Sequence, residues 1–458
     1  MPNYSFTKTI IEWVDSTPFE SLPQDVKKIT QLALYDGIGS ALACSMLPIA
    51  HHLMKFIKLA GDGPNCTVIG FPQRTSVLNA ALVNGTLGHA DEVDAIDDFD
   101  TRGSHVLATT IAASLAAGQI SDASGSEILR SIALGYEVSK RVQAVAASVK
   151  KKPGGHFGPF DESNTMGATV AAGISLGLNA DQMDVAISLA AHLACGITPF
   201  RREANHMAKS FTRGGAGAQN GVTAALMAKS EYDAPRNILE GPDGFFDSYL
   251  GVTEPGSEFL EGLGKDFSIR GLIFKHNCSG GGLQAPRQTI LEIMTENSLC
   301  SDDILDIQIG MRPSDINSYF TSQRHPADCG DALAIAVLYG GMGFKEAHQK
   351  RFFQNPQVKE IRSKIHVNPR EDWVEGKHRL HTTVTVTAED GRQFFKESNY
   401  RKMTESDLDA KFSYLVGLRV GKSKAEELAD LIKLLNVSGS ISNILANLEY
   451  PELHIEDI

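Results

Sequence analysis

The sequence predicts a mainly α-helical fold that carries a smaller α+β part. Three observations lead there. Residues 20 to 250 are dominated by helix-like patterns, the texture changes to alternating strand-like runs after about residue 266, and it turns helical again after residue 403. A chain of 458 residues is also longer than one hydrophobic core usually serves, so two domains are expected. The expected arrangement is a multihelical domain from residues 1–266 and 403–458, built by both ends of the chain. An α+β lid domain, residues 267–402, is inserted between them.

The elements follow in order. "SEILRSIALGYEVSKRVQAVAASV" places apolar residues three and four apart, as one face of a helix requires. "NTMGATVAAGISLGLN" and "DVAISLAAHLACGI" are built from Ala, Gly and Ser, side chains small enough for helices to approach closely. "DILDIQIGM" alternates with the period of a strand. "LHTTVTVTAEDGRQFFKE" is two strand-like runs around Asp390-Gly391, a hairpin signal because both residue types tolerate positive φ. "ESDLDAKFSYLVGL" and "KAEELADLIKLLN" return to helical spacing. The most apolar run, "VLATTIAASLAAGQI", is too short and too rich in Thr, Ser and Gly to cross a bilayer.

A net charge of −12 argues against nucleic acid or an anionic membrane surface as the main partner. Six cysteines (Cys44, Cys66, Cys195, Cys278, Cys300 and Cys329) stand far apart with no CxxC pair, the usage of a reducing compartment. The N-terminal "MPNYSFTKTIIEWVDS" lacks the apolar core of a secretory signal. The expected location is cytoplasmic, with the mitochondrial matrix also open.

Four stretches carry candidate chemistry. "GHADEVDAIDDFDTRGSH", residues 88–105, holds six acidic side chains between His89 and His105. It fails as a calcium loop, because Asp98, Asp100 and Gly103 would take positions one, three and six but Thr109 falls at position twelve, where Glu is needed. It lacks the close His or Cys pairs of a zinc site, so no metal is expected. Asp97, Asp98 and Asp100 read as a solvated loop. His89 and Glu92 follow a buried helix pattern and, three apart, would share a face suited to proton transfer. "KKPGGHFGPF" places His156 in a Gly- and Pro-rich loop. "ANHMAKSFTRGGAGAQNG" places Lys209 and Arg213 before a Gly/Ala run that resembles a helix start, where backbone N–H groups favour an anion. "FKHNCSGGG" offers His276, Cys278 and Ser279 at the domain boundary, without the GxSxG frame of a hydrolase elbow. Together these residues suit a small polycarboxylate and proton chemistry beside a carboxylate.

"VNGTLGHADEVD" resembles the "NG…GHALDFDD" signature of the MmgE/PrpD family, which includes 2-methylcitrate dehydratase, cis-aconitate decarboxylase and iminodisuccinate epimerase. "GYEVSKRV", "GGHFGPF", "MAKSFTRGGAGAQNGVTAALMA", "ILEGPDGFFDSYLG" and "LDAKFSYLVG" agree with it in order and spacing along nearly the whole chain. The resemblance implies a helical domain with an α+β lid, no metal or organic cofactor, and a homodimer. It aligns His89, Glu92, Asp94, His105, His156 and Lys209 with residues of the family's active site. The chain departs from the pattern where Ala95 and Ile96 replace an Asp-Thr pair, where Gln284 stands in place of a lid histidine, and where Asp331 replaces a tyrosine of the decarboxylase. His276 is the neighbouring histidine available to compensate for the lid position.

The expected activity is that of a cofactor-independent lyase working through a carbanion next to a carboxylate. The departures favour a 2-methylcitrate dehydratase-like hydro-lyase over a cis-aconitate-type decarboxylase or an iminodisuccinate-type epimerase. A carboxylate-binding protein that kept the fold is the non-enzymatic alternative. Lys209 is expected to stabilise the developing charge, His105 and His156 to move protons, and Glu92 to orient His89 or share its proton. Asp94, Arg213, His276, Ser279 and Gln284 complete the expected substrate contacts.

Overall fold

The computed structural model describes residues 5–61, 63–97, 105–149, 161–194, 196–197, 203, 205–320, 329–373, 380–435 and 439–458. His156, Asp98 and Asp100 lie outside them. The chain opens with helices α1 (Phe6–Ser16), α2 (Gln24–Cys44) and α3 (Pro48–Ala60). A bundle follows, made of α4 (Val77–Gly88), α5 (Val106–Ser121), α6 (Gly125–Ser148), α7 (Asp161–Ser175), α8 (Ala180–Leu193), the short α9 (Met207–Ser210) and α10 (Gly217–Lys229). A π-helical turn, Phe211–Ala216, joins the last two.

The small-residue stretches act as expected. Helix α7 packs on α5, α6 and α10, and a Cβ added at Gly167 or at Gly135 would stand 2.6 Å from the other's carbonyl oxygen. Only glycine permits that approach. The same device seats the π turn on α4, where a Cβ on either Gly85 or Gly214 would overlap the other's carbonyl. The apolar run expected to be too short for a membrane forms α5, buried from Val106 to Gly118. No single described helix is long and apolar enough to cross a bilayer. One detail differs from the mostly helical expectation for residues 20–250: Cys66–Thr67 (β1) pairs antiparallel with Arg74–Thr75 (β2).

After α11 (Phe245–Leu250) and α12 (Gly281–Glu296) comes β3 (Ile304–Met311), then α13 (Pro313–Tyr319), α14 (Asp331–Tyr339), α15 (Phe344–His348), α16 (Lys350–Phe353) and α17 (Pro356–Ser363). Strands β4 (Ile365–Pro369), β5 (His381–Ala388) and β6 (Gln393–Asn399) complete a four-stranded sheet in the order β4-β3-β5-β6. β3 runs parallel to β4 and antiparallel to β5, and β5 is antiparallel to β6. Alternation decides the faces: Thr382, Val384, Val386 and Ala388 of β5 are buried, on a sheet that α12 covers. At the β5–β6 turn only Gly391 of the expected pair takes positive φ, 84°.

Helices α18 (Glu405–Val420), α19 (Lys422–Lys433) and α20 (Ile441–Ala446) end the chain. α18 starts on a capping box between Thr404 and Asp407, which satisfies N–H groups the helix leaves open. It returns to α2, where the Phe412 ring stacks on Tyr35 at 3.9 Å. Core membership changes close to the expected boundary. Phe267, Ile269 and Leu272 still belong to the helical core. Cys278, Leu283 and the sheet residues belong to a second core, which also takes in Cys44, Met46, Leu47, Ala90, Val93 and Leu415. Ala90 and Val93 bring the acidic stretch to that seam.

Candidate active site

Helix α4 ends at Gly88, and His89 is its C-cap. The chain then turns rather than continuing the helix, so the expected His89–Glu92 face does not form. The turn instead brings Asp94 under His89. One carboxylate oxygen, Asp94 Oδ2, lies 3.0 Å from His89 Nδ1 and 3.0 Å from His105 Nδ1. His105 is held there as the N-cap of α5. The two rings lie 3.9 Å apart between centroids, and all three residues are buried. A carboxylate accepts and does not donate, so each Nδ1 donates and each Nε2 carries the lone pair. Burial pushes the His89 imidazole well below its usual pKa, and the neighbouring His105 adds to that. Burial also lowers His105, against the pull of Asp94. Burial alone would raise Asp94, but His89, His105 and Lys275 outweigh it and hold the carboxyl well below its usual range. The result is two neutral imidazoles over one carboxylate, with His89 Nε2 buried and unpartnered by hydrogen bonds.

Glu92 gathers the positive charge. Its Oε1 is bonded by Lys209 Nζ and lies 2.8 Å from His206 Nε2. Its Oε2 lies 3.1 Å from Lys275 Nζ, which also stands 3.6 Å from Asp94 Oδ1. Lys209 and His206 arrive on α9 and its N-cap, seated by the glycine contact between α4 and the π turn. Lys275 arrives on the connection that leads to α12 and the four-stranded sheet, anchored by the backbone pairing of Ile96 with Ile273. Arg213, on the π turn, accepts a hydrogen bond from Thr109 through its carbonyl at 2.7 Å. Its charge lies near enough to push His105 down.

The turn that carries Asp94 is braced from both chain ends. Lys411 Nζ on α18 reaches Asp36 Oδ1 on α2 at 2.6 Å and the Val93 carbonyl at 2.7 Å. Asp36 Oδ2 accepts the Ala95 N–H at 3.1 Å.

Of the sequence-derived candidates, the structure gathers His89, Glu92, Asp94, His105 and Lys209, with Arg213 close by. Asp94 faces imidazoles rather than open space. His276 turns away: its Nε2 lies 3.1 Å from the Arg401 carbonyl and its ring rests on Tyr400. Adjacent residues of extended chain point to opposite sides, so Lys275 takes the inward place. Ser279 and Gln284 are spent on their own loop. Gln284 Nε2 donates to Asn277 O at 3.0 Å, and to Ser279 O and Oγ at 2.9 Å each. Asp97 is not solvated. It is buried, accepts from the Tyr136 hydroxyl at 3.0 Å and stands 3.6 Å from Lys140. Asp331 turns to Arg362 at 3.7 Å.

Three members escaped the sequence reading: His206, Lys275, and the Asp36–Lys411 brace. His206 and Lys275 each lie within three residues of a chosen candidate, which was the available signal. Folding also assembles donors that chain spacing does not suggest. One donor atom each from His89, Asp94 and His105, and likewise from His89, Glu92 and His206, lie within 4.8 Å of one another. Lys209 and Lys275 already neutralise Glu92, and both Nδ1 atoms are committed to Asp94. The set therefore offers a metal cation a poor balance of charge.

Residues 8–258 match the MmgE/PrpD N-terminal domain and residues 278–436 the MmgE/PrpD C-terminal domain. This chain belongs to the MmgE/PrpD family. A cis-aconitate decarboxylase of Aspergillus terreus is 22% identical over 97% of this chain and 96% of its own length. The cis-aconitate decarboxylase of Mus musculus is 23% identical over 99% and 95%. That of Homo sapiens is 23% identical over 94% and 92%. Family membership thus agrees with the resemblance read from the signature at residues 83–94.

Proposed function

We propose that this protein is a lyase that decarboxylates cis-aconitate or a close tricarboxylate without a metal or organic cofactor. The observation that carries the proposal is the charge layout at the seam. Lys209 and Lys275 form a cationic cradle beside two neutral imidazoles whose tautomer is set by Asp94. Carboxylates bind to such a cradle, and the carbanion left by departing CO2 is stabilised by cations already in place. Full-length similarity to proteins named cis-aconitate decarboxylase supports this choice over the hydro-lyase expectation. Asp331, which stands where the decarboxylase has a tyrosine, is the departure that favours the hydro-lyase alternative. Its carboxylate lies 3.7 Å from Arg362.

The experiment is a substrate panel on purified protein: cis-aconitate, 2-methylcitrate, citrate and iminodisuccinate. CO2 release from cis-aconitate is the expected result. A new conjugated double bond from 2-methylcitrate, with no CO2 from cis-aconitate, would return the assignment to a hydro-lyase. Interconversion of iminodisuccinate stereoisomers, with neither of the other signals, would make the protein an epimerase. A homodimer is part of the same proposal.

A further inference from the structure

We infer that His206 is the acid of this site, held as an imidazolium against Glu92 and opposed to the neutral pair His89 and His105. This rests on the lyase reading above and assigns the proton donor within it. The argument is a count of hydrogens. Ser210 Oγ donates to the His206 carbonyl at 2.6 Å, which uses the hydroxyl's one hydrogen. His206 Nδ1 lies 3.0 Å from that same oxygen, so Nδ1 must donate to it. His206 Nε2 lies 2.8 Å from Glu92 Oε1, and a carboxylate oxygen offers only lone pairs, so Nε2 must donate as well. An imidazole with two donors is charged. His89 and His105 present the opposite case, each giving its single N–H to Asp94 and turning a lone pair outward.

The three rings belong to one site. His206 and His89 lie 5.2 Å apart between centroids. His206 also adopts a left-handed backbone, φ 62°, as the N-cap of α9, which leads into the π turn. Unfavourable backbone of this kind persists where the surroundings enforce it, and it clusters at working sites. Glu92, Ser210 and His89 are among the groups that face the ring; Lys209 Nζ shares Glu92 Oε1 with His206 Nε2, and Lys275 Nζ takes Oε2.

In the decarboxylation, the bond from the CH2 carbon to its carboxylate breaks and CO2 leaves. The electron pair forms a new double bond at that carbon. The old double-bond pair moves to the carbon beside the remaining terminal carboxylate, and the Nε2 proton of His206, released from its hydrogen bond to Glu92 Oε1, adds there. His206 becomes neutral and recovers its proton from water. In a dehydration the same proton would go to the departing hydroxyl.

The test labels the histidines with 15N and correlates ring protons and nitrogens at pH 7.5. His206→Gln assigns the signal. The expected result is an imidazole protonated at both nitrogens that vanishes in the variant. The variant should also lose at least ~10²-fold in kcat, the low end for a lost general acid, and with it the fall in kcat at high pH. A neutral His206 ring with its proton on Nε2 alone, the state left if Ser210 donates to Nδ1, would overturn the assignment. So would a folded His206→Gln protein that keeps the wild-type high-pH limb, however slow it is. A doubly protonated His206 in a protein inert to the whole panel would sink the lyase reading and the catalytic role, while leaving the charge assignment intact.

Discussion

Asp94→Asn removes one charge from the centre of the site and almost no volume. Asp94 Oδ2 now receives two N–H groups at 3.0 Å each. A hydrogen bond to a charged group is worth about 1.5–3 kcal/mol, against about 1 kcal/mol for a neutral one. Two such bonds therefore lose about 1–4 kcal/mol of orienting energy if the amide oxygen takes the place of Oδ2. At 1.36 kcal/mol per tenfold, kcat/KM should fall between ~5-fold and ~10³-fold. If the amide nitrogen faces the rings instead, both tautomers reverse, and the loss should approach the ~10⁴-fold seen when a catalytic histidine is held in its wrong tautomer. The pH profile gives a second, independent readout. Asp94 pulls both imidazoles toward protonation, against the burial that lowers them. Without its charge they should protonate only at lower pH. The acid limb of kcat/KM should move down in pH while the plateau falls. Stopped assays of CO2 release across pH 4.5–8 would show both. An acid limb that moves up, or an unchanged plateau in a folded variant, would refute the account of Asp94 as the group that sets both rings.

Lys209→Ala should lower kcat by about 10²–10³-fold, the usual cost of removing a preorganised group from developing negative charge, with circular dichroism unchanged. Lys411→Met should lose about 3–5 kcal/mol of stability, because it strands the Asp36 carboxylate in a buried site. Denaturant titration would show this, and the double change Asp36→Leu with Lys411→Met should recover most of the loss. Prolonged dialysis against a chelator should leave turnover intact, and elemental analysis should find no stoichiometric zinc or iron. Activity that falls on dialysis and returns with one metal would make the His89–Asp94–His105 cluster a metal site.

The architecture was legible because periodicity reports burial directly. The alternation in β5 and the small-residue helices around Gly135 and Gly167 each state which face is inside. The site was legible only in part, because chain spacing carries no information about where a helix stops. Reading His89 and Glu92 as one helical face assumed that α4 continued. It stops at Gly88, and the partner of His89 becomes Asp94. Between Lys275 and His276 the sequence gives no preference, since a one-residue shift in an extended segment exchanges inside for outside. His206 was passed over because its importance comes from Ser210 and Glu92, four residues and more than a hundred residues away. Asp97 looked solvated because nothing local reveals Tyr136 and Lys140 on α6.

The Lys411 brace has a consequence for biosynthesis. Asp36, Val93 and Ala95 emerge early from the ribosome, whereas Lys411, which ties Asp36 to the Val93 carbonyl, emerges near the end. Until α18 arrives, Asp36 lacks its Lys411 partner, and the turn that carries Asp94 lacks its clamp. A nascent chain or a truncated product that ends before residue 405 can form much of the bundle and still hold an unfinished site. The late helix α18 thus completes the support of a turn laid down early in the chain.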